Sequence, residues 1–276
     1  MLEQKHNIEQ TVENIFIKPP YSQTQCYKQP GVSLYAEDCL ETLRRLPDGS
    51  VDLLLQDTPF GCTQNEWDIK PNFEIMWQEW ERVTKENAAM IFFGTQPFAS
   101  ELILSNKKLF RYDLIWEKDR ATGFLNAAKM PLRCHEYILV FYKKLPTYNP
   151  QITFGHKPAN ASKKNCGSSP NYGDYTKVET GGNTDRQPRS VIFENVINAL
   201  HEPIHPTQKP VDLMRYLVKT YSNENDTVFD GYSGSGTTAA ACLKEKRNFI
   251  GSEMNQEYFD RSVKRLEEII MQPELF

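Results

Sequence analysis

The chain has 276 residues, of which 39% are hydrophobic and 25% are charged, as in an ordinary globular protein with a substantial core. No run reaches the ~18 apolar residues of a membrane span, and the polar first ten residues lack a secretory signal core, so we expect a cytoplasmic location. The net charge of −4 argues against a chain that is basic throughout, which would be typical of a simple nucleic-acid binder.

The first half of the chain alternates between strands and helices. Residues 1–30 are polar and are predicted to form an N-terminal extension. Continuous apolar runs predict buried strands, and the helical spacing of Phe73, Trp77 and Trp80 predicts a helix. In residues 31–147 we predict strands at Val32–Tyr35, Val51–Gln56, Ala88–Phe93, Asp113–Trp116 and Tyr137–Tyr142, and a helix at Phe73–Arg82.

An insert of different composition follows at residues 148–203. Gly, Pro, Ser, Asn and Lys dominate it, and no apolar period runs through it apart from a short strand candidate at Val191–Phe193. Between Lys143 and Arg189, eight basic and three acidic residues give a local charge of 8 − 3 = +5, which leaves −9 for the remainder. This asymmetry predicts a surface that faces a polyanion, with a solvated basic loop as the alternative.

Regular elements return in residues 204–276. Pro210 stands where a helix begins. We predict helices at Val211–Tyr221, Thr238–Lys246 and Gln256–Ile270, and strands at Thr227–Asp230 and Asn248–Ser252. Strands that alternate with helices predict an α/β fold with a largely parallel sheet covered on both faces.

Four acidic residues lie at or just beyond the ends of predicted strands: Asp38, Asp57, Asp230 and Glu253. Ligands of such sheets bind at the carboxyl ends of the strands, so we expect these side chains to surround one site. Asp57 opens the segment Asp57-Thr58-Pro59-Phe60, in which a carboxylate, a rigid bend and an aromatic ring suit a flat nitrogenous ring.

The glycine-rich turn from Gly231 to Ala239 matches two nucleotide-binding patterns in part. Its glycine spacing resembles that of a phosphate-binding loop, but Thr237 stands where that loop requires lysine, which disfavours nucleotide hydrolysis. Gly234, Gly236 and Ala239 also satisfy the dinucleotide pattern G-x-G-x-x-A, with Glu253 after the next strand. A match of this kind is weak by itself.

A third interpretation of the turn is a site for S-adenosylmethionine (SAM). Asp230 would face the ammonium group of this cofactor, and Glu253 would accept hydrogen bonds from its ribose hydroxyls. An acid directly before the glycines favours SAM, because a carboxylate would repel the pyrophosphate of a dinucleotide.

An ordered series of motifs from Val32 to Leu266 resembles the β-group of DNA amino-methyltransferases, which modify adenine N6 or cytosine N4. The segments that carry the resemblance are Asp38-Cys39-Leu40, Val51 to Phe60, Asp113 to Lys118, Pro131 to Glu136, Ile138 to Tyr142, His205 to Pro210, Asp230 to Thr238 and Ile250 to Glu253. Their order, with the catalytic segment first, a target-recognition insert next and the cofactor segment last, is typical of this group. The resemblance implies a circularly permuted Rossmann-like fold.

The resemblance also implies the chemistry. SAM would be the cofactor and double-stranded DNA the partner, with the target base flipped out of the duplex. The implied catalytic residues are Asp57, Thr58, Pro59 and Phe60: the Asp57 carboxylate and the Thr58 carbonyl accept the target amine, and Phe60 stacks on the base. The implied cofactor-binding residues are Asp38, Cys39, His205, Thr207, Lys209, Asp230, Gly234, Ser235, Gly236, Thr237, Thr238 and Glu253. No metal is implied.

Two positions depart from the family's usual pattern. Thr58 replaces a proline of the tetrapeptide, and Gly231 replaces a proline at the start of the turn, so both segments are expected to be less rigid. A catalytically lapsed SAM-binding copy therefore stays an alternative. Aspartate as the first residue of the tetrapeptide favours adenine N6 over cytosine N4, where serine is commoner in the family.

Several further activities fit part of the sequence. They are a cytosine-N4 enzyme, an RNA, protein-glutamine or small-molecule N-methyltransferase, and a dinucleotide-binding oxidoreductase. No cysteine follows a proline, which excludes the nucleophile of cytosine-C5 methyltransferases. We expect a structural role for His135 and Glu136, and we expect the loop Lys118–Phe124 to close over DNA. A homodimer and a cognate restriction enzyme are additional expectations from the family.

Overall fold

The computed structural model describes residues 24–62, 68–158, 162–163, 167–169, 173–175, 179–196 and 208–271. The strands in chain order are β1 (Cys26–Gln29), β2 (Val32–Tyr35), β3 (Val51–Gln56), β4 (Thr84–Gly94), β5 (Phe110–Thr122), β6 (Arg133–Phe141), β7 (Ser162–Lys163), β8 (Gly167–Ser169), β9 (Gly173–Tyr175), β10 (Glu179–Thr180), β11 (Val191–Glu194), β12 (Thr227–Asp230) and β13 (Asn248–Ser252). The helices are α1 (Cys39–Arg45), α2 (Phe73–Val83), α3 (Phe98–Ser105), α4 (Val211–Tyr221), α5 (Thr237–Lys244) and α6 (Gln256–Met271).

Nine strands form one sheet in the order β1-β2-β13-β12-β3-β4-β6-β5-β11. The pairs β2/β13, β13/β12, β12/β3, β3/β4 and β5/β11 are parallel, whereas β1/β2, β4/β6 and β6/β5 are antiparallel. The two C-terminal strands therefore lie between N-terminal strands, which brings the carboxyl ends of β2, β3, β12 and β13 to one edge. The predicted α/β class and the permuted strand order are confirmed.

Helices cover both faces of this sheet because the central strands are apolar on both sides. In β3, Leu53 and Leu55 pack on the face covered by α4, α5 and α6, while Val51 and Leu54 pack on the face covered by α1, α2 and α3. The fully buried Trp80 of α2 contributes to the second layer. Each fully buried large side chain contributes about 1.5–3 kcal/mol, so these layers fix the strand ends that carry the site.

Most predicted elements are present, with differences at their ends. Strands β4 and β5 are longer than predicted, and α5 begins and ends slightly earlier than the predicted helix. The structure adds β1, α1, α3 and the short strands β7 to β10, which the sequence patterns did not predict. Strand β1 lies inside the predicted N-terminal extension and pairs with β2.

The chain divides into two compact units, of which the smaller comprises residues 150–189. It lies inside the predicted insert of residues 148–203, and within it Thr153 and Arg186 form an isolated bridge. Strand β11, which the prediction placed in the insert, belongs to the sheet of the larger unit. Within the described ranges, no helix is both long and apolar enough to cross a membrane.

Candidate active site

A cavity of about 550 Å³ opens at the carboxyl ends of β2, β3, β12 and β13. Its walls include all four residues of the segment Asp57 to Phe60 and most of the turn from Asp230 to Thr238. Asp38 and Glu253, at the ends of the two flanking strands, line it as well. Segments about 170 residues apart in sequence thus share one pocket of the size that holds a small ligand.

The segment from Asp57 to Phe60 directly follows the carboxyl end of β3. The Asp57 carboxyl group is 22% exposed and faces the cavity, whereas Thr58 is buried and its hydroxyl has no hydrogen-bond partner within the described structure. The Phe60 ring packs against Phe98 with 5.0 Å between centroids. Asp68 then accepts hydrogen bonds from the backbone N–H groups of the two residues after Phe60, at 2.8 and 2.9 Å.

Lys209 binds Asp57 directly. Its ammonium nitrogen lies 2.5 Å from Asp57 Oδ2 and 3.5 Å from Glu136 Oε2, and Glu136 in turn binds Lys118. Burial raises the pKa of the Asp57 carboxyl group, which the charge of Lys209 opposes. Burial would lower the pKa of Lys209, but Asp57 and Glu136 outweigh it and raise that pKa, so Lys209 stays charged.

The glycine-rich turn carries a buried carboxylate at its start. Asp230 Oδ1 accepts the backbone N–H of Tyr232 at 3.0 Å, and Oδ2 accepts the Thr238 hydroxyl at 2.5 Å. Burial nevertheless raises the pKa of Asp230 to about 7, with those hydrogen bonds opposing and other carboxylates adding to the rise. Gly234 and Gly236 adopt left-handed backbone angles, with φ of 51° and 69°, which explains glycine at both positions.

Glu253 and Asp38 border the same cavity from neighbouring strand ends. Glu253 accepts the backbone N–H of Gly234 on one oxygen and that of Asn255 on the other, each at 2.8 Å. Burial raises the pKa of Glu253, and these N–H groups oppose the rise. Asp38 caps α1 by accepting the N–H of Leu40 at 2.8 Å. Each carboxylate oxygen can accept a further hydrogen bond from a ligand.

The residues of this cavity fit SAM. Burial and neighbouring carboxylates raise the pKa of Asp230, so the ammonium group of SAM would stabilise the charge of this carboxylate. Two glycines lack room for side chains: a Cβ on Gly231 of the turn would lie 2.0 Å from Cys39 Sγ, and one on Gly251 of β13 would lie 2.6 Å from the Asp230 carbonyl oxygen. The turn is therefore packed tightly against α1 and β13, and its Gly231 and Gly234 line the cavity.

The structure brings most of the predicted cofactor residues together. Those that line the cavity are Asp38, Cys39, Lys209, Asp230, Gly234, Ser235, Thr237, Thr238 and Glu253. Gly236 instead faces Ser262 of α6, and His205 and Thr207 lie outside the described residues. Lys209, which the resemblance implied as a cofactor-binding residue, points its ammonium group at Asp57.

Several residues of the site were missed or assigned another role from the sequence. Gln56, which is fully buried, donates to the Phe229 carbonyl at 3.2 Å and accepts the Gly231 N–H at 3.3 Å, so it ties β3 to the cofactor turn. Arg265 of α6 donates to the Ser235 carbonyl at 2.9 Å. Glu136, for which a structural role was expected, lines the cavity beside Lys209.

The family model for the DNA methylases that modify N6 or N4 matches residues 12–264. DNA adenine methyltransferase YhdJ of Escherichia coli K12 is 30% identical over 246 residues, covering 83% of this chain and 81% of that protein. Type II methyltransferase M.BglII of Bacillus subtilis is 28% identical over 254 residues, covering 84% of this chain and 68% of that protein.

Two of the solved structures with a similar fold extend over most of this chain. The M1.HpyAVI–SAM complex is 24% identical with a TM-score of 0.58, over 85% of this chain and 98% of that one. The cytosine-N4-specific PvuII DNA methyltransferase is 15% identical with a TM-score of 0.59, over 90% of this chain and 96% of that one. At these identities the structural likeness shows the fold, which confirms the Rossmann-like prediction.

The family match confirms the predicted resemblance and, with it, a SAM-dependent DNA methyltransferase. The roles of individual residues stay predictions. On the strength of a model that matches 253 of the 276 residues (12 to 264), the chain belongs to the family of N6/N4 DNA methylases.

Proposed function

We propose that the protein transfers a methyl group from SAM to N6 of adenine in duplex DNA. The observation that carries this proposal is the placement of the Asp57 carboxylate in the same cavity as Asp230 and Glu253. In this proposal Asp57 accepts the target amine, Asp230 the ammonium group of SAM and Glu253 its ribose hydroxyls. The 30% identity to a protein named as a DNA adenine methyltransferase supports adenine as the target.

SAM, when bound, supplies a methyl group on a positively charged sulfur, which keeps the electron pair of the broken bond. The exocyclic amine is a poor nucleophile because its lone pair is delocalised into the ring. Asp57 and the carbonyl of Thr58 accept its two N–H groups, draw the nitrogen toward tetrahedral geometry and free the pair for the new N–C bond. The nitrogen then loses one proton, which Asp57 is placed to accept.

Holding the base accounts for much of the expected rate. Phe60 stacks on the flipped adenine, and Phe98, 5.0 Å behind it, keeps the Phe60 ring from rotating. Flipping costs a few kcal/mol, which the contacts to the base and the backbone must offset. A fixed in-line geometry then converts binding into rate, because the reacting atoms already lie in position.

The hairpin formed by β5 and β6 contacts the DNA in this proposal. Strand β5 runs parallel to β4 and β3, so the hairpin tip extends from the edge that carries Asp57. At the tip, Phe124 is 80% and Leu125 is 97% exposed, and Arg120 and Lys129 are exposed beside them. Apolar side chains flanked by positive charges suit insertion between bases and contact with phosphates.

Residues 148–203 are the proposed target-recognition insert, and the charge of +5 between Lys143 and Arg189 suits phosphate contacts that position a duplex. The homodimer and the cognate restriction enzyme stay predictions from the family. The expected cytoplasmic location likewise stays a prediction.

Tritiated SAM and unmethylated duplex DNA test the proposal. After incubation, the DNA is digested to nucleosides, and we expect the label to elute with N6-methyl-2′-deoxyadenosine. DNA treated beforehand with unlabelled SAM and the same protein serves as the control and should accept little label. Label in N4-methylcytosine, or no label above the control, would contradict the proposal.

A further inference from the structure

Four charged side chains of alternating sign form a row that begins at the cavity wall. They are Asp57, Lys209, Glu136 and Lys118, joined at each step by an ion pair. Lys209 is 6% exposed and Glu136 is 9% exposed, so the middle pair has little access to water. The two carboxylates and the two ammonium groups balance, which is the condition under which buried charges are tolerated.

The two carboxylate oxygens of Glu136 have different surroundings. Oε1 binds Lys118, whereas Oε2 is buried and makes no hydrogen bond within the described residues, although it lies 3.5 Å from Lys209 Nζ. Lys209 Nζ also lies 5.0 Å from the Phe93 ring and 5.9 Å from the Phe60 ring. Lys209 is thus confined among two carboxylates and two aromatic faces.

We infer that Glu136 is a positioning residue of methyl transfer: anchored by Lys118, it fixes the Lys209 ammonium group on one oxygen of Asp57. This inference rests on the proposed function, because it matters only if Asp57 accepts the target amine. Lys209 occupies Oδ2, which leaves Oδ1 for the amine, and the ion pair holds the carboxylate in one orientation.

The charge balance explains why a second carboxylate is needed. Burial would lower the pKa of Lys209, and Asp57 and Glu136 together reverse that effect. Burial would raise the pKa of Glu136, but Lys209 and Lys118 outweigh it and lower that pKa, so Glu136 stays ionised. Without Glu136, one excess positive charge would remain in the buried cluster, and Lys209 would be free to move away from Asp57.

The test replaces Glu136 by glutamine, which keeps the shape and removes the charge. We expect kcat of DNA methylation to fall about 10- to 100-fold, the effect of a displaced catalytic group, while the Kd for SAM changes less than twofold. Glu136 raises the pKa of Asp57 and of Lys209. Both limbs of the pH profile of kcat should therefore move to lower pH in Glu136→Gln.

Glu86→Gln is the matched control, since Glu86 is an exposed carboxylate of β4 that pairs with two lysines, does not line the cavity and should leave kcat unchanged. Lys118→Met, which leaves Glu136 in place, gives a second measurement if Glu136→Gln does not fold, and it should also lower kcat. Wild-type kcat with an unshifted profile in both folded variants would overturn the inference. Failure of the proposed function would differ, because the wild type itself would then form no N6-methyladenine.

Discussion

Residue 231 should have to be glycine because a side chain at this position would overlap Cys39. A Cβ on Gly231 would lie 2.0 Å from Cys39 Sγ and 3.0 Å from Cys39 Cβ, whereas apolar atoms pack at about 3.5–4.0 Å. Cys39 is the first residue of α1 and is 4% exposed, so it has little room to move. Gly231→Ala should therefore destabilise the protein by about 1–3 kcal/mol through overpacking.

Cys39→Ala should reverse most of that loss, because it removes the sulfur and leaves contacts of 3.0 Å to the Cβ of residue 39 and 3.3 Å to Gln56 Oε1. Alone, Cys39→Ala should cost about 1 kcal/mol for the lost packing, and the double variant should be close to it in stability. The two changes should thus be non-additive by about 1–2 kcal/mol in a double-mutant cycle. Urea unfolding of the four proteins gives these free energies from the midpoints at equal slope.

Gly251→Ala is the matched control for this cycle. Its Cβ would lie 2.6 Å from the main-chain oxygen of Asp230 and 2.5 Å from Phe249, which the loss of the Cys39 sulfur does not relieve. Its destabilisation should therefore be the same with and without Cys39→Ala. The reasoning is refuted if Gly231→Ala is as stable as the wild type, or if Cys39→Ala leaves its cost unchanged.

Three further predictions concern the tetrapeptide, the cofactor turn and the hairpin. Thr58→Val removes a buried hydroxyl that has no partner among the described residues. It should stabilise the protein by about 1 kcal/mol in urea unfolding, with methylation retained; lower stability would contradict this. Folding raises the pKa of Asp230 to about 7, so ionisation of Asp230 destabilises the ligand-free fold as pH rises from about 4 to 7. The difference in Tm between Asp230→Asn and the wild type should therefore grow in favour of the variant over that range and level off above it, while the affinity of the variant for SAM is lower. A difference in Tm that does not change with pH would contradict this. Replacing Phe124 and Leu125 together by serine should raise KM for DNA about tenfold or more and leave the Kd for SAM unchanged; an unchanged KM would remove the hairpin from the DNA contact.

The elements that the sequence predicts best are those with an uninterrupted local pattern. Strands β2, β3, β12 and β13 and helix α4 have the predicted bounds, because each is a continuous apolar run or a full helical period. Strand β1 is a mostly exposed edge strand, and only its pairing with β2 defines it. Helix α1 carried a usable signal, since Asp38 is its N-cap, but Asp38 was interpreted only as a cofactor residue.

The site divides in the same way. Asp57, Asp230 and Glu253 were predicted to share one site because each follows a strand of a parallel sheet, and all three line the cavity. The contact of Lys209 with Asp57 spans 152 positions and depends on tertiary packing, which no local pattern reports. Glu136 likewise acquires its place in the charge network only through the pairing of β5 with β6.

The sequence predicted reduced backbone rigidity at Gly231 and Thr58, where the chain departs from the family pattern. The structure differs between the two positions. At Gly231, the N–H that a proline would lack donates to Gln56 Oε1 at 3.3 Å, and the missing Cβ makes room for Cys39. Glycine there fits a tightly packed entry to the turn. At Thr58, the side chain is buried and its hydroxyl makes no hydrogen bond to the part of the chain that the structure describes, so the local cost lies in desolvation.

The central claim is that an amine acceptor and a cofactor site from opposite ends of the chain share one cavity. Comparing SAM binding with methyl transfer in Asp57→Ala tests this claim most directly. The Kd for SAM, measured by calorimetry, should stay within a few-fold of the wild type, because the cofactor site with Asp230 and Glu253 is intact. Single-turnover transfer to duplex DNA should be abolished in the same preparation. Transfer at the wild-type rate would contradict the account.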